Sequence, residues 1–147
     1  MSSWFEIVVL LLLLAAQTKP PAGPWRLTFQ ISGGFAGVDR RLELTDTGAV
    51  TATDGRRVSR ATTTATAKEL ADIKSFLPDL KSVRATFDKN CRDCFEYRLD
   101  VQMNGSTVTL RFDETAMDNR RVETIVNALT ALLDRALAGP QASPEPR

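Results

Sequence analysis

The sequence predicts an α+β fold in which an antiparallel sheet, made of a meander and a C-terminal hairpin, packs against two helices. Several segments alternate apolar with polar residues, which is the period of a half-buried strand. Two other segments repeat apolar residues at helical spacing. Every connection between the predicted strands is short, which suits antiparallel pairing. The predicted order is β-β-β-(β)-α-β-β-α.

The 147 residues predict one domain with non-globular ends. A chain of this length can bury one substantial core and is short for two. We expect a leader at residues 1–19 and a proline-rich spacer at residues 20–24. A single α+β domain is expected at residues 25–138, followed at residues 139–147 by a tail that is too polar and proline-rich to pack.

The leader prediction depends on an unbroken apolar run at residues 7–16. The run has the length of a signal-peptide core and is about half as long as a membrane-spanning helix. Glu6 and the lack of a basic residue before the run are unusual for a signal peptide, which leaves a buried helix or an uncleaved anchor as alternatives. Gln17 stands where a lipoprotein would need cysteine, so no lipid anchor is expected. We expect an extracytoplasmic protein, secreted or periplasmic, that contacts a membrane only if the leader is retained.

Four segments make up the predicted meander. A glycine-rich segment at residues 33–37 separates the first two strands, and Asp46-Thr47-Gly48 separates the second from the third. Both interruptions suit a chain reversal, because glycine adopts positive φ without steric cost. The fourth segment is rich in threonine and is either a strand or an edge segment. The four segments are expected at residues 25–32, 38–45, 49–53 and 58–64.

The first helix is predicted at residues 67–77. Thr66 and Glu69 form a capping box, in which each side chain accepts a hydrogen bond from the backbone N–H of the other residue. Pro78 ends this helix. The second helix is predicted at residues 119–137, where the apolar side chains form one stripe.

A hairpin lies between the two helices. Residues 95–103 alternate apolar with polar, and the alternation returns at residues 108–112. Asn104-Gly105 between them favours a type I′ turn, which requires positive φ at both central residues.

Composition argues against catalysis and against nucleic-acid binding. Lys and Arg number 19 and Asp and Glu 18, so the net charge of +1 creates no field that would attract nucleic acid. The arginine pairs are scattered along the chain, without interleaved aromatic residues. No histidine is present, which excludes Ser-His-Asp and Cys-His sites as well as histidine-based metal sites. We therefore expect no enzyme, no cofactor and no resident metal ion.

Cys91 and Cys94 have the spacing of a redox motif. A thioredoxin-like site places that motif at the start of a helix, where the thiolate is stabilised, whereas here it precedes a predicted strand and contains Asp93. In an exported chain the pair favours a local disulfide that restrains the loop before Phe95. Redox or metal chemistry and free thiols remain the alternatives.

The glycine-rich segment is the candidate binding site. Phe35 is flanked by glycines at the tip of a predicted hairpin, and two arrangements are open to it. The ring either folds back over the core, which backbone physics alone favours, or projects from the tip. A projecting apolar side chain can enter a deep pocket on a partner protein and supply much of the affinity. The residues of this candidate site are Gly33, Gly34, Phe35, Ala36 and Gly37.

The segment Ile31-Ser32-Gly33-Gly34-Phe35-Ala36-Gly37 and the strand after it resemble the emfourin family. The later helix, hairpin and closing helix match in architecture, so the resemblance covers about residues 26–138. The resemblance implies a non-covalent protein inhibitor that occupies the active-site cleft of a thermolysin-like (M4) metalloprotease of the protealysin kind. The leader, the spacer and the Cys91–Cys94 loop are not part of the family pattern.

Two other functions compete with protease inhibition. An exported, non-catalytic accessory domain of the cell envelope could have the same fold and an unrelated protein partner. A thiol-disulfide enzyme would need a reactive thiol at Cys91 or Cys94, which the neighbouring acidic residues disfavour.

Overall fold

The computed structural model describes residues 23–84 and 91–139. The predicted leader, most of the predicted spacer and residues 140–147 of the predicted tail lie outside the described residues. The elements in chain order are β1 (Trp25–Gly33), β2 (Val38–Thr45), β3 (Ala49–Asp54), β4 (Ser59–Thr64), α1 (Ala67–Phe76), the 3-10 helix η1 (Leu80–Ser82), β5 (Phe95–Met103), β6 (Ser106–Asp113), the 3-10 helix η2 (Glu114–Asp118) and α2 (Arg120–Ala138). The predicted α+β class and element order are confirmed, and the threonine-rich segment is a strand.

The strands form a six-stranded antiparallel sheet in the order β4-β3-β2-β1-β5-β6. The first strand lies in the middle of the sheet and pairs with β2 on one side and with β5 on the other. Leu27 therefore lies opposite Leu44 on β2 and opposite Val101 on β5. Because side chains alternate across a strand, this register gathers the apolar residues of neighbouring strands on one face of the sheet.

The turn between β5 and β6 has the predicted backbone. Asn104 has φ of 51° and Gly105 has φ of 74°, so both central residues adopt the positive φ of a type I′ turn. The turn sets the register in which Leu99 pairs with Leu110 and Tyr97 with Phe112.

The core lies between the apolar face of the sheet and the helices. Tyr97 stacks on Phe29 and on Phe112, with ring centroids 6.2 and 5.5 Å apart. The apolar stripe of α2 covers the sheet, and each leucine that it buries contributes about 1.5–3 kcal/mol of transfer free energy. The buried residues of this stripe are Val122, Ile125, Val126, Leu129, Leu132, Leu133 and Ala136. In the part of the chain that the structure describes, no helix is both long and apolar enough to cross a membrane.

A polar cluster ties the two helices together at the start of α1. Thr66 and Glu69 form the predicted capping box: the Glu69 N–H donates to Thr66 Oγ1 at 3.2 Å, and the Thr66 N–H donates to Glu69 Oε2 at 2.7 Å. Arg135 of α2 donates to both Glu69 oxygens at 2.8 Å and to the Thr64 carbonyl at 3.1 Å. Burial alone would raise the pKa of Glu69, but the hydrogen bonds from Arg135 and Thr66 outweigh it and hold the pKa below its ordinary value.

The depressed pKa of Glu69 predicts how its contribution to stability depends on pH. Glu69→Gln should lower the free energy of unfolding by about 1 kcal/mol at neutral pH, because the substitution removes the charge that strengthens the hydrogen bonds from Arg135. The loss is small because the site is partly exposed to solvent. A carboxyl group with a lowered folded-state pKa stabilises the fold above its unfolded pKa, and the contribution disappears as pH falls through the folded value. The difference between wild type and variant, measured by urea denaturation, should therefore shrink below about pH 4.

Asp72→Asn is the matched control, because Asp72 pairs on the same helix with Lys68, whose side chain is 85% exposed. It should leave the free energy of unfolding nearly unchanged at every pH. A Glu69→Gln difference that stays constant down to about pH 2 would contradict the assignment of the stabilising charge to Glu69.

Candidate functional site

Three loops meet at one end of the sheet, which we call the loop end. The Phe35 loop (residues 34–37) joins β1 to β2, the β3–β4 loop (residues 55–58) joins the next two strands, and Cys91–Cys94 precedes β5. They share this end because β1, β2, β3 and β5 pair antiparallel with their neighbours, so Gly33 lies opposite both Val38 and Phe95. The loop end therefore presents three short segments of chain side by side.

The Phe35 loop is a closed turn whose aromatic side chain projects into solvent. The Gly37 N–H donates to the Gly34 carbonyl at 3.0 Å, which places Phe35 and Ala36 at the two central positions. Phe35 is 96% exposed. The arrangement in which its ring folds back over the core is therefore wrong, and the projecting arrangement is the one observed.

The base of this loop is packed against the start of β5. The Gly34 N–H donates to the Cys94 carbonyl at 3.2 Å, and Gly34 has φ of +69°. A Cβ atom at Gly34 would lie only 2.5 Å from Cε1 of Phe95. Glycine is therefore required here both for the backbone conformation and for the close approach of the ring.

The two cysteines form a disulfide that restrains the neighbouring loop. Cys91 and Cys94 are joined, and their Cα atoms are 5.5 Å apart. The disulfide closes a short loop of the chain, so it stabilises the fold through the unfolded state by about 2 kcal/mol at most. Because the Cys94 carbonyl accepts the hydrogen bond from Gly34, the disulfide also supports the base of the Phe35 loop.

The β3–β4 loop is organised by a buried carboxylate. Asp54 is 9% exposed, and its Oδ1 accepts from the backbone N–H groups of Arg56 at 3.1 Å and Arg57 at 3.2 Å. The Gly55 N–H donates to the Asp39 carbonyl at 2.8 Å, which joins this loop to the start of β2. No sequence pattern predicts this role, because a carboxylate beside a glycine does not reveal from which backbone N–H groups it will accept hydrogen bonds.

The adjacent arginines Arg40 and Arg41 lie on opposite faces of the sheet and have different partners. Arg40 points to the helix side of the sheet, where it pairs with Asp134 of α2 at 2.5 Å, and its side chain is 23% exposed. Arg41 lies on the opposite face and pairs with Glu43. Arg40 stands in the same alternating register as the apolar Val38 and Leu42, and no local pattern identifies a partner 94 residues away.

Within the described residues, the loop end presents an exposed aromatic ring, backbone groups and arginines, which are groups that can contact another protein. Over residues 23–84 and 91–139, no group of three or more His, Cys, Asp or Glu residues could hold a metal ion. Tyr97 lies in the core, where burial and the charge of Glu114 raise the pKa of its hydroxyl.

Comparison with known proteins gives one family match. The model of the family described as Emfourin matches residues 29–137, which include the Phe35 loop, both helices and all six strands in whole or in part. No curated protein matches the chain.

Two glycines of the Phe35 loop give a matched pair of stability predictions. Gly34→Ala should lower the free energy of unfolding by about 2–3 kcal/mol, because alanine is strained at positive φ and its methyl group displaces the Phe95 ring. Gly37 also has positive φ, at +60°, but nothing lies within 4 Å of its Cβ position. Gly37→Ala should therefore cost only about 1 kcal/mol. Equal losses in urea denaturation would show that the contact with Phe95 does not constrain the loop.

Proposed function

Because the chain belongs to the emfourin family, whose members are protease inhibitors, we propose that it inhibits a thermolysin-like metalloprotease by non-covalent occupation of the active-site cleft. The zinc ion in this proposal belongs to the protease, and the inhibitor supplies no catalytic group. The family match covers the Phe35 loop and its supporting strands, which is the surface that the proposal uses.

The exposure of Phe35 is the observation that carries the proposal. A phenylalanine ring that is 96% exposed contributes almost nothing to the folded core, and burying it in a partner's pocket would remove a large apolar area from water. Its position at the tip of a two-stranded hairpin lets it reach into a concave site. A buried aromatic anchor of this kind commonly supplies much of the affinity of an interface.

The supports of the loop favour tight binding. The turn is closed by the hydrogen bond from Gly37 to Gly34, and its base is held by the hydrogen bond from Gly34 to Cys94. The backbone is therefore ordered before the partner is met, and little conformational entropy is lost on association. A rigid projecting loop is suited to filling a cleft competitively.

Phe35→Ala should raise the inhibition constant about 30-fold or more, because the main apolar anchor is removed. The free energy of unfolding should stay within about 0.5 kcal/mol of wild type, since the side chain is outside the core. Steady-state inhibition of several thermolysin-like proteases, with urea denaturation of each variant, measures both quantities.

Thr107→Ala is the control for position, because Thr107 is exposed on the hairpin at the opposite end of the sheet. It should leave the inhibition constant unchanged. A wild-type domain that inhibits none of these proteases would overturn the proposal. Capture of cell-envelope proteins without any protease would then favour the accessory-domain function.

We further propose that the chain acts outside the cytoplasm. The apolar run at residues 7–16 supports export, and the Cys91–Cys94 disulfide is of a kind that persists in oxidising compartments. Expression of the full chain should give an extracytoplasmic product, located by cell fractionation, with the two cysteines oxidised. Retention in the cytoplasm with both thiols reduced would contradict the proposal.

A further inference from the structure

The β3–β4 loop carries a second exposed apolar side chain at the loop end. Val58 is 92% exposed, and among the described residues it and Phe35 are the two large hydrophobic side chains with high exposure. Both lie in hairpin loops of the same sheet, Phe35 at the centre of its turn and Val58 at the last loop position before β4. Isolated exposed apolar residues are common, so exposure alone does not assign a function.

The backbone of Val58 distinguishes it from an ordinary surface residue. Its φ is +49°, in the left-handed region, where a β-branched side chain is a steric outlier. Glycine or asparagine is the usual residue at such a loop position. Since Val58 is strained and outside the core, the stability of the isolated domain does not account for a valine here. Backbone strain of this kind is concentrated at functional sites.

The two hairpin tips are close enough to meet one partner. β2 pairs with β3, with Arg40 opposite Asp54, so the two loops leave the sheet from the same end. The loops are centred two strand spacings apart, which is about 10 Å. The hydrogen bond from Gly55 to the Asp39 carbonyl connects the β3–β4 loop to the strand that follows the Phe35 loop.

We propose that Val58 is a second contact residue for the same protease, and that it packs on an apolar patch beside the cleft that receives Phe35. This inference deepens the proposed function and rests on it. Arg56 and Arg57 precede Val58, and both are exposed. Arg57 Nε forms a loose ion pair with Asp54 Oδ2 at 3.8 Å, and the Arg57 side chain remains 83% exposed to solvent. The partner patch is therefore apolar with acidic groups at its border, which the two arginines would meet.

Val58→Gly separates a binding role from a structural one. Glycine relieves the left-handed strain, so the midpoint of thermal unfolding should rise by about 2–5 °C. The same variant should raise the inhibition constant about 10-fold, because the apolar contact is lost. If Val58 had a purely structural role, its substitution would not raise the unfolding midpoint and the inhibition constant together.

Thr107→Gly is the matched control, since it also replaces an exposed β-branched residue with glycine, at the far end of the sheet. Glycine weakens a strand, so the unfolding midpoint should fall, and the inhibition constant should not change. The double variant Arg56→Gln/Arg57→Gln should slow association about 10-fold at low salt and reduce its dependence on ionic strength.

The outcomes are distinguishable. If wild type inhibits and Val58→Gly inhibits equally well, the second contact is wrong while the proposed function stands. A fall in the unfolding midpoint of Val58→Gly would overturn the strain argument. An unchanged association rate for the arginine variant would overturn the acidic border. If wild type inhibits no thermolysin-like protease, the proposed function is overturned and this inference with it.

Discussion

The pairing of β1 along both of its edges is the constraint on which the rest of the structure depends. Every residue from Arg26 to Gly33 has a partner on β2 and on β5. A slip of one residue would turn Leu27 and Phe29, both completely buried, toward solvent and bring their polar neighbours into the core. Burial of the core therefore also fixes the residue at which the chain leaves the sheet and enters the Phe35 loop.

Folding and the proposed recognition use different side chains of one short segment. Phe29 is completely buried and Phe35, six positions later, is almost completely exposed. Changes at the tip are therefore separable from changes in the core. The separation is absent at Gly34, where the backbone approaches the Phe95 ring and a substitution would alter the loop and the packing together. The tip of the loop can therefore be substituted without disturbing the core, whereas its base at Gly34 cannot.

Local patterns predicted the elements but not how distant residues meet. Alternation located the strands, and the Thr66–Glu69 capping box located the start of α1. Asn104-Gly105 located the hairpin of β5 and β6. Each of these signals lies within a few residues of sequence. The Arg40–Asp134 pair depends on how α2 crosses the sheet, which no local pattern specifies.

The candidate site was predicted only in part, because local patterns do not specify contacts between distant residues. Three glycines around Phe35 revealed a loop, whereas the exposure of its ring and the contacts of Gly34 with Cys94 and Phe95 are features of the tertiary structure. Those contacts also limit the flexibility that the glycines would otherwise give to the loop. Glycine makes an isolated loop flexible, yet here each hydrogen bond and close approach removes part of that freedom before any partner is present. The residue type that permits the turn is thus compatible with a rigid site, because the rigidity comes from the neighbouring strands and the disulfide-bonded loop.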